Sequence, residues 1–154
     1  MSHINVEVGR AVDAPPEEVY TFLADYRDKR PIILTSNFLD YTVEKGGRGA
    51  GTVISYRLRA GGRERPYRMQ VEEPERGSML VERDTGSSLV TTWRVSQGTA
   101  PGRSQVSVAT EWEGGSGVGG FFERTFAPMG LRSIYTEMLN RLAQTLTGST
   151  TAAR

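Results

Sequence analysis

Three side chains in the middle of the chain are of types that can move a proton or bind a developing negative charge: Tyr56, Tyr67 and Arg83. Each lies where apolar residues alternate, so each belongs to one face of a strand. Tyr56 and Tyr67 are expected to point inward, and Arg83 shares a face with Met79 and Val81. A tyrosine can serve as a general acid and an arginine as an oxyanion partner. No visible group lowers a tyrosine pKa from about 10. A solvated strand residue is the preferred interpretation of Arg83, and an inward orientation is the alternative.

The absence of cysteine and the single histidine, His3, remove several kinds of chemistry. Disulfides, thiolate catalysis and cysteine-ligated metals are excluded, and so are a histidine-based triad and a multi-histidine metal site. Asp25 and Asp28 make a poor metal pair because no further ligand lies near them in sequence. We therefore expect neither a metal nor another cofactor.

The charge distribution argues against a nucleic-acid partner. The chain has 19 basic and 18 acidic residues and a net charge of +1. Nucleic-acid-binding proteins usually gather a basic excess on one face, whereas Arg65 and Arg68 lie among glutamates. The glycine-rich segment Gly114–Gly120 lacks the Gly-Lys-Ser/Thr ending of a phosphate-binding loop. It is interpreted instead as slack between a strand and a helix.

The first residues and the overall hydropathy predict a cytoplasmic protein. Met1–Val8 has neither the basic region nor the apolar region of a secretory signal. No run of 18 apolar residues is present, so integral membrane association is not expected. The sequence leaves open whether the chain is a monomer or a homodimer.

The last quarter of the chain, Gly119–Thr147, has a helical apolar period. This pattern predicts one long amphipathic helix, roughly 40 Å at 1.5 Å per residue. Pro128 is expected to kink it, because proline removes a backbone donor and clashes one turn back. The apolar stripe comprises Leu131, Tyr135, Leu139, Leu142 and Leu146.

Before this helix, the apolar residues indicate strands separated by turns. Val19, Phe22 and Leu23 form the apolar face of a short helix that ends near Asp25. Residues 26–37 could be a short strand, a helical turn or a loop over a pocket, and Gly61-Gly62 indicates a hairpin. We expect one domain over residues 1–147 and a flexible tail over 148–154. The predicted strands are 4–12, 38–44, 52–60, 65–72, 79–84, 89–95 and 106–112.

Three segments in this order resemble the START-like/polyketide cyclase–dehydrase superfamily (SRPBCC). They are the strand, Ala-Pro turn and helix of Val8–Asp25, the Gly51 that opens the Thr52–Arg59 strand after a loop, and the closing helix Phe122–Leu146. The resemblance implies an α+β helix-grip fold, in which a curved antiparallel sheet of about seven strands wraps around one long C-terminal helix. One or two short helices would follow the first strand. Members bind lipids, sterols or polyketides beneath the helix, and some cyclise or dehydrate polyketides.

The inward faces of such a fold would line a hollow suited to a small hydrophobic ligand, being mostly apolar with a few polar tips. For each residue taken alone, ordinary core packing explains the same pattern. The expected ligand-binding residues are Tyr56, Leu58, Tyr67, Met69, Thr91, Trp93, Val108, Thr110, Trp112, Phe122, Phe126 and Met129.

Three functions remain open at this point. The first is a carrier or binder of a small lipid- or polyketide-like molecule, with no chemistry. The second is a polyketide cyclase or dehydratase, which should place an ionisable side chain inside the hollow. The third is an interaction module with a filled core. The superfamily shares no catalytic motif that could be carried onto particular residues.

Overall fold

The structure, a computed structural model, describes residues 3–60, 63–113 and 127–152. Two α-helices, α1 and α2, and one 3₁₀ helix, η1, accompany seven strands in these ranges. The helices are α1 Pro16–Ala24, η1 Arg30–Ile33 and α2 Ala127–Ala152. The strands are β1 His3–Val12, β2 Phe38–Lys45, β3 Val53–Ala60, β4 Arg63–Glu75, β5 Met79–Asp84, β6 Val90–Gln97 and β7 Ser104–Glu113.

The described strands form one antiparallel sheet in the order β1-β7-β6-β5-β4-β3-β2. Strands β2 to β7 are a meander of neighbours, and β1 pairs with β7 to extend it. The predicted helix-grip architecture, with about seven strands and a long C-terminal helix, is confirmed. The predicted hairpin at Gly61-Gly62 and the loop Gly114–Gly120 lie outside the described residues.

The connection between β1 and β2 carries both short helices. α1 begins at Pro16, where a proline costs little, and Glu17 and Glu18 suit the positive end of the helix dipole. The segment that the sequence left open contains η1, with Pro31 in its first turn. Ile33 is buried and anchors η1, whereas Ile32 is 48% exposed.

α2 lies along β1 and η1, with which it makes its closest backbone contacts. Its 26 residues correspond to about 39 Å of helix. The predicted apolar stripe faces the core, since Leu131, Leu139 and Leu142 are buried. The helical backbone extends to Ala152, beyond the predicted end at residue 147. Pro128 stands in the first described turn, and the residues that a kink would bend away lie outside the described ranges.

Pairing across the strands sets two rows of side chains on the concave face, which looks toward α2. One row is apolar and consists of Val8, Val108, Trp93 and Leu80 on β1, β7, β6 and β5. The other row consists of Val6, Thr110, Thr91, Glu82 and Val71. It therefore places a carboxylate and two hydroxyls within an otherwise apolar face.

The alternative in which Arg83 points inward is wrong, and the preferred interpretation of Arg83 as a solvated strand residue holds. Arg83 is exposed on the convex face, where its Nε donates to Glu72 Oε1 at 3.1 Å. Leu80, Val81 and Glu82 are all buried. Because consecutive residues of β5 are buried, its sequence does not alternate between apolar and polar residues, and the pattern could not identify the inward face. The residues of β5 that face inward are Leu80 and Glu82.

Candidate functional site

A buried ion pair joins η1 to the sheet beneath it. Arg30 Nη2 donates to Glu82 Oε2 at 2.7 Å, and the two side chains are 4% and 6% exposed. Arg30 Nε donates to the carbonyl oxygen of Leu23 at 3.1 Å, which ties the pair to the end of α1. A charge removed from water is tolerated only when it is paired and hydrogen-bonded, and both partners meet that condition.

Tyr26 completes this cluster. Its hydroxyl donates to Glu82 Oε2 at 2.6 Å and accepts from Arg30 Nη2 at 3.1 Å. The guanidinium of Arg30 also lies over two aromatic rings, 4.5 Å from the ring centroid of Tyr26 and 4.6 Å from that of Trp93. These cation–π contacts fix the plane of the guanidinium and require the flat, delocalised cation of arginine. Burial, the largest single influence, lowers the pKa of Arg30, but Glu82, Tyr26 and Tyr41 together outweigh it, so the pKa lies above the ordinary range.

The tyrosines around the pair are neutral hydrogen-bond donors. Burial raises the pKa of Tyr26, Tyr41, Tyr56 and Tyr67 above 10, and it raises the pKa of Tyr135 to about 12. Tyr41 donates its hydroxyl to the carbonyl oxygen of Tyr26 at 2.6 Å. Tyr56 and Tyr67, the predicted proton-transfer residues, therefore remain protonated at neutral pH, and their raised pKa values make them weak acids that have no phenolate form available as a base.

A chain of hydroxyls continues the polar row on the other side of Glu82. The Oγ1 atoms of Thr91 and Thr110 are 2.7 Å apart, and Thr110 is hydrogen-bonded in turn to the hydroxyl of Tyr135 on α2. All three residues are buried. The chain joins β6 and β7 to the helix that lies over them.

These groups border an internal cavity of about 40 Å³ between the concave face and α2. A cavity needs only about 10–15 Å³ on this measure to hold a water molecule, so the space accommodates a few waters. Phe38 and Tyr56 pack edge to face on its wall with ring centroids 5.1 Å apart, and Tyr56 and Tyr67 lie 5.8 Å apart. The lining consists of Arg30, Leu34, Phe38, Tyr41, Ile54, Tyr56, Leu58, Tyr67, Glu82, Leu89, Thr91, Trp93, Leu131, Tyr135 and Met138.

Among the residues predicted to bind ligand, Tyr56, Leu58, Tyr67, Thr91 and Trp93 lie together on the cavity wall. Others are buried in the core beside that wall, namely Met69, Val108, Thr110 and Trp112. The side chains of Phe122, Phe126 and Met129 lie outside the described residues. The indole nitrogen of Trp93 is buried and has no hydrogen-bond partner in the described part of the chain.

Sequence reasoning missed the ion pair. Glu82 follows three apolar residues on β5, and only the strand register, which places it opposite Thr91, shows that it faces inward. Arg30 belongs to a polar run, Asp28-Lys29-Arg30, that is typical of a solvated turn. Nothing in that run distinguishes the buried cation from its exposed neighbours.

A second candidate site is a groove on the protein surface between α1, the loop at Gly49 and the turn at Gly77. Its volume is about 880 Å³, and it is open to solvent. Charged side chains of both signs, including Glu17, Lys29 and Arg76, line this groove. The internal cavity is the better candidate site because its polar groups are buried and oriented.

Over the three described ranges, no group of three or more His, Cys, Asp or Glu side chains is arranged to hold a metal ion. Within the same part of the chain, no helix combines the length and apolar character needed to cross a bilayer.

Similarity to solved structures extends over almost the whole chain. The NMR solution structure of the KanY protein (ms6282) is 37% identical, with a TM-score of 0.83 over 96% of this chain and 99% of that one. The protein TTHA0849 from Thermus thermophilus is 16% identical, with a TM-score of 0.73 over 95% and 99% of the two chains. The Zhui aromatase/cyclase from Streptomyces sp. R1128 is also 16% identical, with a TM-score of 0.66 over 94% and 96%. The last two likenesses concern the fold alone.

The sequence comparisons assign the family. Among curated proteins, none matches the sequence. The sequence model of the family described as polyketide cyclase/dehydrase and lipid transport matches residues 3–147. With that match over nearly its entire length and a helix-grip fold, the chain belongs to the polyketide cyclase/dehydrase and lipid transport family of the START-like (SRPBCC) superfamily.

Proposed function

We propose that the chain binds a small, largely apolar molecule in the cavity between the concave face of the sheet and α2. The observation that carries this proposal is the lining itself, which combines aromatic and aliphatic walls with the oriented polar pair Arg30 and Glu82. Ligand sites are typically mostly apolar and contain a few placed polar groups. The predicted site residues that would contact such a ligand are Tyr56, Leu58, Tyr67, Thr91 and Trp93.

Ligand entry requires the cavity to widen. Small-molecule sites commonly measure about 300–1,000 Å³, whereas this cavity measures about 40 Å³. Met138 of α2 lines it, and a methionine side chain has several rotatable bonds and adapts to varied shapes. The closest backbone contacts of α2 are with β1 and η1. The cavity can therefore widen over the centre of the sheet by movement of side chains, while α2 keeps its contacts with β1 and η1.

A cyclase or dehydratase is the second candidate function. It is favoured by the presence of ionisable groups on the cavity wall, since a binder without chemistry needs only hydroxyls and aromatic rings there. Arg30 would stabilise an oxyanion, and Glu82 would exchange a proton with the substrate. The family description and the fold likeness to an aromatase/cyclase support this candidate.

The first test is native mass spectrometry of freshly purified protein, which detects a co-purified small molecule. It is complemented by titration with N-phenyl-1-naphthylamine, an uncharged fluorophore that brightens in apolar surroundings. Met138→Phe fills the cavity and should weaken fluorophore binding at least tenfold. Glu137→Gln, an exposed position on the same helix, should leave binding unchanged and serves as the matched control.

The outcomes separate the three functions. A protein that carries no molecule and does not brighten the fluorophore contradicts the proposed function and favours an interaction module. Where a molecule is recovered, its mass is compared between the wild type and Glu82→Gln. Identical masses support a carrier, and a product formed by loss of water only in the wild type supports a dehydratase. A cytoplasmic location and a monomeric or homodimeric state remain predictions of the sequence.

A further inference from the structure

We propose that the Arg30–Glu82 pair is the polar end of the ligand site and selects a neutral head group over an anion. The head group would present a hydrogen-bond acceptor and a donor side by side, as a primary amide does. This inference rests on the proposed function, because it concerns the ligand of the same cavity.

Some polar atoms of the pair are already used in hydrogen bonds. Within the described residues, the hydrogen bonds of Arg30 leave from Nε and Nη2, toward Leu23 and toward Glu82 and Tyr26. Glu82 accepts both of its hydrogen bonds at Oε2. In that part of the chain, Arg30 Nη1 and Glu82 Oε1 are thus left without partners, while both residues line the cavity.

These two remaining atoms have complementary roles. Nη1 carries only donors, and Oε1 of an ionised carboxylate is only an acceptor. A head group that satisfies both must supply an oxygen to Arg30 and an N–H or O–H to Glu82. A ligand that satisfies only one leaves the other desolvated and unpaired, which is costly in a closed site.

The charge balance of the cavity disfavours an anion. Arg30 and Glu82 carry opposite unit charges, and the other titratable groups on the lining are the tyrosines Tyr41, Tyr56, Tyr67 and Tyr135. These tyrosines are neutral, so the lining has no net charge. An anionic head group would gain attraction from Arg30 but lose it to repulsion by Glu82, and it would also give up its hydration.

The surroundings of the pair orient the rest of the ligand. The guanidinium plane is held over the rings of Tyr26 and Trp93, so the direction of its Nη1 donors is fixed. The aliphatic and aromatic wall, with Leu58, Tyr56 and Leu89, lies on the same cavity. A flat apolar body that bears the head group at one end fits this arrangement.

The test uses three probes with one aromatic body: 2-naphthamide, 2-naphthoate and naphthalene. Binding to the full-length chain at pH 7 is followed by the ¹H–¹⁵N resonance of the Trp93 indole, assigned with Trp93→Phe. The amide should bind at least tenfold more tightly than the naphthoate and more tightly than naphthalene. Glu82→Gln leaves Arg30 unbalanced and should reverse the order, so that the naphthoate binds at least tenfold more tightly than the amide.

A second variant guards against misfolding of the first. Arg30→Met/Glu82→Met removes both charges and should bind naphthalene and the amide within about twofold of each other. Equal binding of the amide and the naphthoate to the wild type overturns the inference but leaves the proposed function standing. An unchanged order in Glu82→Gln also overturns it. If none of the three probes binds, the proposed function fails and the inference fails with it.

Discussion

Glu82 of β5 lies directly opposite Thr91 of β6 on the concave face, and both residues line the internal cavity. Side chains opposite each other on antiparallel strands have Cβ atoms about 4.5–5.5 Å apart. The register therefore places the ion pair of Glu82 and Arg30 next to the hydroxyl chain of Thr91, Thr110 and Tyr135. The polar row lies in the part of the sheet that α2 faces.

The first prediction concerns the stability of the ion pair. Arg30→Met and Glu82→Met should each lower the free energy of unfolding by about 3–5 kcal/mol, because each leaves an uncompensated buried charge. The double variant should be less destabilised than either single variant, since it removes both desolvation costs together. Urea unfolding of the four proteins, arranged as a double-mutant cycle, measures the coupling.

The control for this cycle is an exposed ion pair between the neighbouring strands β5 and β4. Arg83 and Glu72 form an exposed pair, with side chains 53% and 51% exposed. Removing either of these charges should change stability by no more than about 1 kcal/mol. A coupling for the buried pair as small as that for the exposed pair contradicts the prediction.

The second prediction concerns the loop between β2 and β3. Gly49 has a φ of +58°, and a Cβ built there would overlap Glu73 Oε1. Gly49→Ala should therefore destabilise the fold in two ways. The positive φ strains the backbone by about 1–2 kcal/mol, and the new Cβ displaces the Glu73 carboxylate. Gly51 has a φ of +89° with nothing within 4 Å of its Cβ, so Gly51→Ala carries the strain alone.

Thermal or urea unfolding of both alanine variants measures the difference. Gly49→Ala should be the less stable by about 1–3 kcal/mol, the range for a charged hydrogen bond that is lost in a partly buried place. Equal destabilisation would mean that the Glu73 side chain moves aside without cost.

The secondary structure was predictable because its determinants are local. The alternation of Val106 and Val108 indicates β7, and the spacing of Leu131 and Tyr135 indicates α2. The helix-grip architecture followed once these elements were placed in order. The boundary of α2 was set too early because residues 148–152 are small and polar, and helix ends are weakly encoded.

The ion pair was not predictable, since it depends on tertiary placement. Arg30 and Glu82 are far apart in sequence and meet only because η1 lies over β5. On β5 the periodicity allowed either Glu82 or Arg83 to face inward, and a shift of one residue exchanges the two faces. The size of the cavity also depends on how side chains interlock, which the strand pattern around Tyr56 does not specify.

The third prediction concerns the pH dependence of stability. Burial raises the pKa of Glu73, but hydrogen bonds from the Tyr20 hydroxyl and the Ala50 N–H, together with Arg76, outweigh it, so the net pKa lies below 4.5. A carboxyl whose pKa is lowered by folding stabilises the fold at pH values above its ordinary pKa of 4.5. That contribution is lost as the pH falls through the folded-state value.

Removal of the Tyr20 hydroxyl should expose this dependence. Tyr20 donates to Glu73 Oε2 at 2.6 Å, so Tyr20→Phe should cost about 1.5–3 kcal/mol at pH 7 and distinctly less at pH 3. Tyr41 donates to a backbone carbonyl oxygen, which does not titrate. The cost of Tyr41→Phe should accordingly be similar at both pH values, and a parallel decline for both variants would refute the assignment.

The fourth prediction concerns Trp93, which is 2% exposed, lies beneath the guanidinium of Arg30 and lines the cavity. Trp93→Ala should lower the free energy of unfolding by about 3–5 kcal/mol and should enlarge the cavity by most of an indole ring. Added indole should then bind the variant and raise its melting temperature with concentration, as a ligand specific to the folded state does. In the wild type the Trp93 ring fills that space, so indole should raise its melting temperature less than it raises that of the variant. A variant that loses less than about 1 kcal/mol, or that indole does not stabilise, contradicts the packed position of Trp93 on the cavity wall.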